Sequence, residues 1–151
     1  MDNIILEKIW NDSDIIYNGL FQIKLTCINE YININENIYM DSFISKKISD
    51  KIEKYIKTNK EMYYEINLKK GYTEGFSIKI FPYDNTGYSL IEMKMEIADN
   101  NEKLHYATFY IKTEIALLES FGRKIKDIIS LNIGECIKLI NDQKYYHYNY
   151  L

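Results

Sequence analysis

Between Phe76 and Ile129 the chain contains three successive patterns of local structure. The first is an alternation from residue 91 to 97, in which Glu92, Lys94 and Glu96 fall on one side and apolar residues on the other. Asx residues at 99–101 then predict a turn, a second strand follows through residues 109–111, and Thr113 opens the amphipathic stretch TEIALLESFGRKIKDII. Because only one side of each element is apolar, the unit predicts an antiparallel sheet with a helix packed across it.

The remainder of the chain repeats these patterns. Apolar residues at positions 44, 48, 52, 55 and 56 predict a one-sided helix that starts at Asp41 or Ser42 and ends near Lys57. Alternating residues predict strands over 20–27, 31–38, 62–68, 76–80 and 131–140, while residues 1–10 suit a strand or a helical turn. We therefore expect one globular domain over residues 1–151, of the α+β class. It has a mostly antiparallel sheet of about seven strands with two amphipathic helices packed on it.

Composition narrows the classes of function. The chain has 151 residues, a formal charge of −3 and a single arginine, Arg123. Arginine is the usual residue for bidentate recognition of phosphate and guanine, so a nucleic-acid partner is not expected. The N-terminal residues lack a signal peptide and a membrane-spanning run, and Cys27 and Cys136 are far apart, which together predict a cytoplasmic protein with reduced, buried thiols. The abundance of Ile, Asn, Lys and Tyr is typical of a low-GC bacterium or its phage.

Candidates for catalysis are few. Glu92 and Glu96 are spaced to act as an acid–base pair, or simply to form a solvated strand face. His105 has no adjacent nucleophile motif, although a distant partner such as Cys27 stays open. Asp84, Asp99 and Asn100 are possible metal ligands, but Asx residues in turns usually serve the backbone. The glycines form no phosphate-binding loop, and Gly122, inside the second helix, predicts close packing of that helix on the sheet. We expect no enzymatic activity, cofactor or metal.

The fifteen tyrosines are the least ordinary feature of the composition. Tyrosine combines a large rigid surface with a polar tip and is enriched in binding surfaces. The C-terminal stretch QKYYHYNYL is dense in aromatic side chains: Tyr145, Tyr146, His147, Tyr148 and Tyr150. It forms either an edge strand that covers the core or a surface for a partner, and we take it, with Glu92, Lys94 and Glu96, as the candidate partner-binding set.

The segment from Phe76 to Ile129, with its helix of the form TExxxLExFGxxI, resembles small cytoplasmic α+β proteins of bacteria. Some of these are immunity proteins of polymorphic toxin systems, the group around the wall-associated-protein immunity family. The similarity covers a third of the chain and brings no catalytic residues. It implies a protein that acts by binding and blocking another protein.

The expected function is a non-enzymatic inhibitor, most simply an immunity protein that neutralises a bacterial toxin domain. Two alternatives stay open. One is a small-molecule-binding or enzymatic domain, with a pocket between sheet and helices and Glu92, Glu96 or His105 at its mouth. The other is a phage-encoded inhibitor of a host defence system.

Overall fold

A computed structural model describes residues 2–12, 19–66, 68, 75–98 and 103–141. In that part of the chain the strands are β1 (Asp2–Asn11), β2 (Phe21–Ile28), β3 (Asn33–Met40), β4 (Met62–Ile66), β5 (Gly75–Pro82), β6 (Tyr88–Ala98), β7 (Leu104–Glu114) and β8 (Cys136–Asn141). The helices are α1 (Ser42–Thr58) and α2 (Ile115–Lys126), and a short 3₁₀ turn covers Ile128–Ser130.

The eight described strands form two four-stranded sheets. Sheet A has the order β3-β2-β1-β8 and sheet B the order β4-β5-β6-β7, and every neighbouring pair is antiparallel. The predicted α+β class, with antiparallel strands and two amphipathic helices, is confirmed. The strands are divided between two sheets, whereas the sequence pattern suggested one.

The two sheets share one topology. In each, the chain leaves an edge strand directly into a helix: β3 is followed by α1, and β7 by α2. Counted from that edge, β3, β2, β1 and β8 of sheet A correspond to β7, β6, β5 and β4 of sheet B. The difference is that the fourth strand of sheet A comes from residues 136–141, after both helices. The fold is therefore two ββββα units, the first of which is completed by the last described strand.

Both helices follow the amphipathic pattern of the sequence, but their starts differ. Asp41 caps α1, because its Oδ1 accepts a hydrogen bond from the backbone N–H of Ile44 at 2.8 Å. Thr113, by contrast, does not open the second helix. It is the buried penultimate residue of β7, and α2 begins at Ile115 with no side-chain cap. Glu114 is both the last residue of β7 and the N-cap of α2, and its side chain makes no capping hydrogen bond.

β8 is shorter than predicted because a turn precedes it. Gly134 has a φ of +92°, which a residue without Cβ adopts readily, and its N–H donates to the carbonyl of Lys8 at 2.8 Å. The Lys8 N–H in turn donates to the carbonyl of Glu135 at 3.1 Å, and its buried Nζ donates to the carbonyl of Ile129 at 2.6 Å. Lys8 thus ties β1 to the segment that leads into β8.

The sheets and helices enclose one hydrophobic core. α1 packs against β4 and β5, and α2 contacts β7 and β8 as well as α1. An enclosed cavity of about 20 Å³ at the centre has only apolar lining, from both sheets and both helices, such as Leu25, Ile48, Met93 and Phe121. None of the helices described is long and apolar enough to cross a lipid bilayer.

Candidate functional site

The outer face of sheet B, turned away from the core, carries a row of residues that crosses all four strands. Tyr63 on β4 lies opposite Lys79 on β5, Lys79 opposite Glu92 on β6, and Glu92 opposite Tyr110 on β7. Strands are about 4.8 Å apart, so the row is about 15 Å long. Tyr63 and Tyr110, at its two ends, are 48% and 50% exposed. Two half-exposed aromatic rings therefore border a strip of charged side chains.

Carboxylates hold both tyrosines in place. The hydroxyl of Tyr63 donates to Oε2 of Glu65 at 2.9 Å, and the hydroxyl of Tyr110 donates to the Glu92 carboxylate. The hydrogen bond to Glu92, together with the negative charge of that group, raises the pKa of Tyr110 above its usual value. The pKa of Tyr63 is also raised, first by burial of its hydroxyl and then by Glu65. Each tyrosine hydroxyl thus has a carboxylate partner within the free protein.

The lysines of this face already have partners within the chain. Lys79 Nζ lies 2.9 Å from Oε1 of Glu61, which raises the pKa of Lys79, and Lys94 Nζ lies 3.6 Å from Oε1 of Glu92. Lys112 Nζ lies 4.2 Å from the ring centre of Tyr83 and 4.7 Å from that of Tyr88. Carboxylates outnumber lysines on the described part of this face. The carboxylates are Glu61, Glu65, Glu92, Glu96 and Glu114, and the lysines are Lys79, Lys94 and Lys112. The face is net negative.

The predicted set of binding residues is only partly brought together by the structure. Glu92, Lys94 and Glu96 share one face of β6, as the alternation predicts. Lys94 is exposed and Glu92 partly so, whereas Glu96 is only 4% exposed and lies beside the strand end at Gly75. Tyr145, Tyr146, His147, Tyr148 and Tyr150 lie outside the described residues, so their role as a surface stays a prediction.

Tyr63 and Tyr110 were not in the predicted set, although a signal for both is present. Each alternates with apolar neighbours, so each falls on the outward side of its own strand, as the charged residues of β6 do on theirs. The missing information was the register. Only the pairing of the strands shows that both tyrosines fall in the row of Glu92 rather than one or two residues away.

Cys27 does not have the character of a nucleophile. Both thiols are unpaired, and Cys27 is fully buried in sheet A, where burial and then the negative charge of Glu36 raise its pKa to about 12. Nucleophilic cysteines instead have lowered pKa values. Cys136 is exposed rather than buried as predicted, because its outward position on β8 alternates with that of Ile137.

Of the possible metal ligands, Asp84 serves the backbone, whereas Asp99 and Asn100 lie outside the described residues. Asp84 accepts hydrogen bonds from the backbone N–H and the hydroxyl of Thr86, an Asx turn that lowers the pKa of Asp84. The described residues contain no group of three or more side chains suited to hold a metal ion. The central cavity has the volume of about one water molecule, and Glu92, Glu96 and His105 are not part of its lining.

Comparison with known proteins gives structural neighbours only. No protein-family model and no curated protein matches the chain. The plant transcriptional regulator PBF-2 superposes with a TM-score of 0.43 at 11% identity, over 85% of this chain and 75% of PBF-2. MRP1/MRP2 from Trypanosoma brucei superposes with a TM-score of 0.43 at 9% identity, over 84% of this chain and 85% of the other.

Proposed function

We propose that this protein is a non-enzymatic inhibitor that binds another protein through the outer face of sheet B. The observation that carries the proposal is the row from Tyr63 to Tyr110, in which two half-exposed tyrosines are held by carboxylates at either end of a four-strand surface. Of the possible partners, we propose a toxin domain, with this chain as its immunity protein.

Fixed tyrosines suit a protein partner for an energetic reason. Aromatic residues supply much of the binding free energy in protein interfaces, and ordering a mobile side chain on binding costs about 0.5–1.5 kcal/mol. The hydrogen bonds of Tyr63 to Glu65 and of Tyr110 to Glu92 hold the rings before the partner arrives. Less conformational entropy is then lost when the complex forms.

The charge of the face indicates the chemistry of the partner. Carboxylates outnumber the lysines, and Lys79, Lys94 and Lys112 already contact carboxylates or rings within the sheet. Such a surface complements a basic protein surface and speeds association with it. A toxin that acts on nucleic acid needs a basic active site to hold phosphates, so it offers a surface of this kind. The similarity of residues 76–129 to immunity proteins supports the same class of partner.

The test compares capture by three forms of the protein. One is the natural chain, the second carries Tyr63→Ala, Tyr110→Ala and Glu92→Lys, and the control carries Tyr39→Ala on the outer face of sheet A. Tyr39 is 58% exposed and so resembles the two tyrosines in accessibility. We expect a basic protein to be captured in near-stoichiometric amount from the source cells by the natural chain and the control, and to be lost by the triple variant.

The inhibitory role is tested with the captured partner. Its toxicity on expression in a heterologous host should be relieved by co-expression of the natural chain and the Tyr39→Ala protein, but not by the triple variant. Equal relief by the triple variant would place the interface elsewhere, and a Tyr146→Ala/Tyr148→Ala form would then test the C-terminal tyrosines. A partner without toxicity would contradict the immunity assignment while leaving the interface in place.

A further inference from the structure

The charges of this protein are segregated along the chain. α1 contains five lysines against Asp50 and Glu53, and α2 contains Arg123 and two lysines against Glu119. The two helices together therefore have eight basic and three acidic side chains, a formal charge of +5. Since the whole chain has a charge of −3, the remainder has −8. A mildly acidic protein thus has a distinctly basic helix layer.

The basic side chains form one surface because the helices are neighbours. Gly122 of α2 approaches Ile52 of α1, and the open groove between the helices has a volume of about 560 Å³. Lys57, Arg123 and Lys126 line this groove together with the carboxylates of Glu53, Glu119 and Asp127, so the excess of positive charge lies on the exposed sides of the helices beside the groove. α1 packs against the inner face of sheet B, so its exposed side points away from the acidic outer face of that sheet. The two charged surfaces are on opposite sides of the sheet.

Several cations of this layer form no ion pair within the described part of the chain. Lys57 pairs with Glu53 at 2.9 Å and Arg123 with Glu119 at 3.2 Å. No described carboxylate lies within ion-pair distance of five further lysines, all outside the core: Lys46, Lys47, Lys51, Lys54 and Lys124. Side chains three and four residues apart on a helix are about 5–6 Å apart, so Lys47, Lys51 and Lys54 are neighbouring cations along α1.

We propose that the exposed side of α1 and α2 binds the phosphate backbone of a nucleic acid without reading its sequence. Phosphate contacts need point charges in an accessible array, which lysine supplies, whereas base recognition relies on the bidentate geometry of arginine. The single arginine, which argues against base-specific binding, is therefore compatible with this mode. The site is distinct from the outer face of sheet B and does not depend on the proposed inhibitory function.

Other polyanionic partners fit the surface less well. Protein interfaces are depleted in lysine at their centre and enriched in aromatic residues, whereas the two helices have seven lysines and, in the described structure, Phe43 as their exposed aromatic residue. A membrane-binding helix places apolar side chains into the lipid, but the apolar residues of α1 and α2 face the core. Phe43 and Leu117 are the exposed large apolar side chains of the two helices, and each lies in the first turn of its helix.

The test is fluorescence anisotropy with a labelled mixed-sequence oligonucleotide of about 20 nucleotides, single-stranded and as a duplex. We expect micromolar binding to at least one form, weakened at least about tenfold between about 50 and 200 mM salt. Lys46→Gln/Lys126→Gln removes one exposed lysine from each helix, and Lys24→Gln/Lys138→Gln makes the same change of charge on the outer face of sheet A.

The helix variant should bind about tenfold more weakly, with a salt dependence reduced by about two counterions, while the control stays within about twofold of the natural chain. Circular dichroism and the melting temperature confirm that both variants fold. Equal loss in both variants would show an effect of net charge only and would overturn the proposal. No binding to either oligonucleotide at low salt would also overturn it. So would binding to phosphatidylglycerol vesicles without binding to the oligonucleotides.

Discussion

Gly122 of α2 lies so close to Ile52 of α1 that a Cβ at position 122 would be 2.8 Å from Cγ2 of Ile52. The sequence predicted close packing at this glycine, and the structure shows that the neighbour is the other helix rather than a sheet. Ile52 is β-branched and 1% exposed, so its Cγ2 has little room to move away. The separation of the two helices therefore depends on the missing side chain.

Gly122→Ala should lower the free energy of unfolding by about 1–2 kcal/mol, because overpacking outweighs the gain of about 1 kcal/mol in helix propensity. Urea unfolding followed by circular dichroism measures the change. Ile52→Ala removes the clashing methyl group, so in that background Gly122→Ala should instead stabilise the protein. If the alanine stabilises the natural chain too, the helices adjust more freely than the distance implies.

Leu118→Ala should destabilise the protein by about 2–5 kcal/mol, since a buried leucine leaves a cavity when it is truncated. Leu118 is fully buried, while its neighbour Leu117 is 42% exposed and offers a matched control. Leu117→Ala should cost less than about 1 kcal/mol. Similar losses of stability for the two variants, measured by urea unfolding, would mean that Leu117 and Leu118 do not differ in burial.

The hydroxyl of Tyr55 and Oγ of Ser89 form a buried hydrogen bond of 2.7 Å that joins α1 to β6. Tyr55→Phe leaves Oγ of Ser89 without this partner and should cost about 1–3 kcal/mol. Tyr55→Phe/Ser89→Ala removes both groups and should cost less than the sum of the single changes. Additive single and double changes in a double-mutant cycle would show that the bond contributes no coupling.

Cys27 should make the stability fall in alkaline solution. Its thiol has a pKa of about 12 in the folded protein against an ordinary value of 9.0, because burial, and then the charge of Glu36, disfavour the thiolate. Between these values the unfolded chain loses a proton that the folded chain keeps, so the free energy of unfolding falls as the pH rises. The limiting slope is about 1.4 kcal/mol per pH unit.

The measurement is urea unfolding under reducing conditions, from about pH 8 to pH 10. Cys27→Ala lacks the titrating group, so its stability should depend less on pH over this range, although its absolute stability is lower. Cys136→Ala, at an exposed thiol, is the control and should keep the slope of the natural chain. The same slope in all three proteins would assign the alkaline loss to other groups.

Local patterns were sufficient to predict most of the elements. The alternation around Glu92 depends only on residues in one strand, and the cap at Asp41 depends on a hydrogen bond three residues away. Such features follow from a few neighbouring side chains. The same local reading failed at Thr113, where a polar residue before a helix was interpreted as a cap although it is buried at the end of β7.

Features that depend on distant residues were not predictable in this way. The completion of sheet A rests on β8 pairing with β1, for example Leu6 with Ile137, and nothing in either strand specifies the other. Tyr63 and Tyr110 join the row of Glu92 only through the register of three strand pairs. Glu96 is buried although it alternates with apolar residues as exposed charges do. The composition of the site therefore depends on strand pairing, which cannot be predicted from the pattern of a single strand.

The late position of β8 in the sequence affects when sheet A can be completed during synthesis. The strands of sheet B come from one continuous stretch of chain, residues 62–114, and can pair on the ribosome as soon as that stretch has emerged. In sheet A, β1 is synthesised first and pairs with β8 last. Throughout translation of the intervening residues, β1 exposes an unpaired edge, the kind of surface that recruits chaperones or other nascent chains.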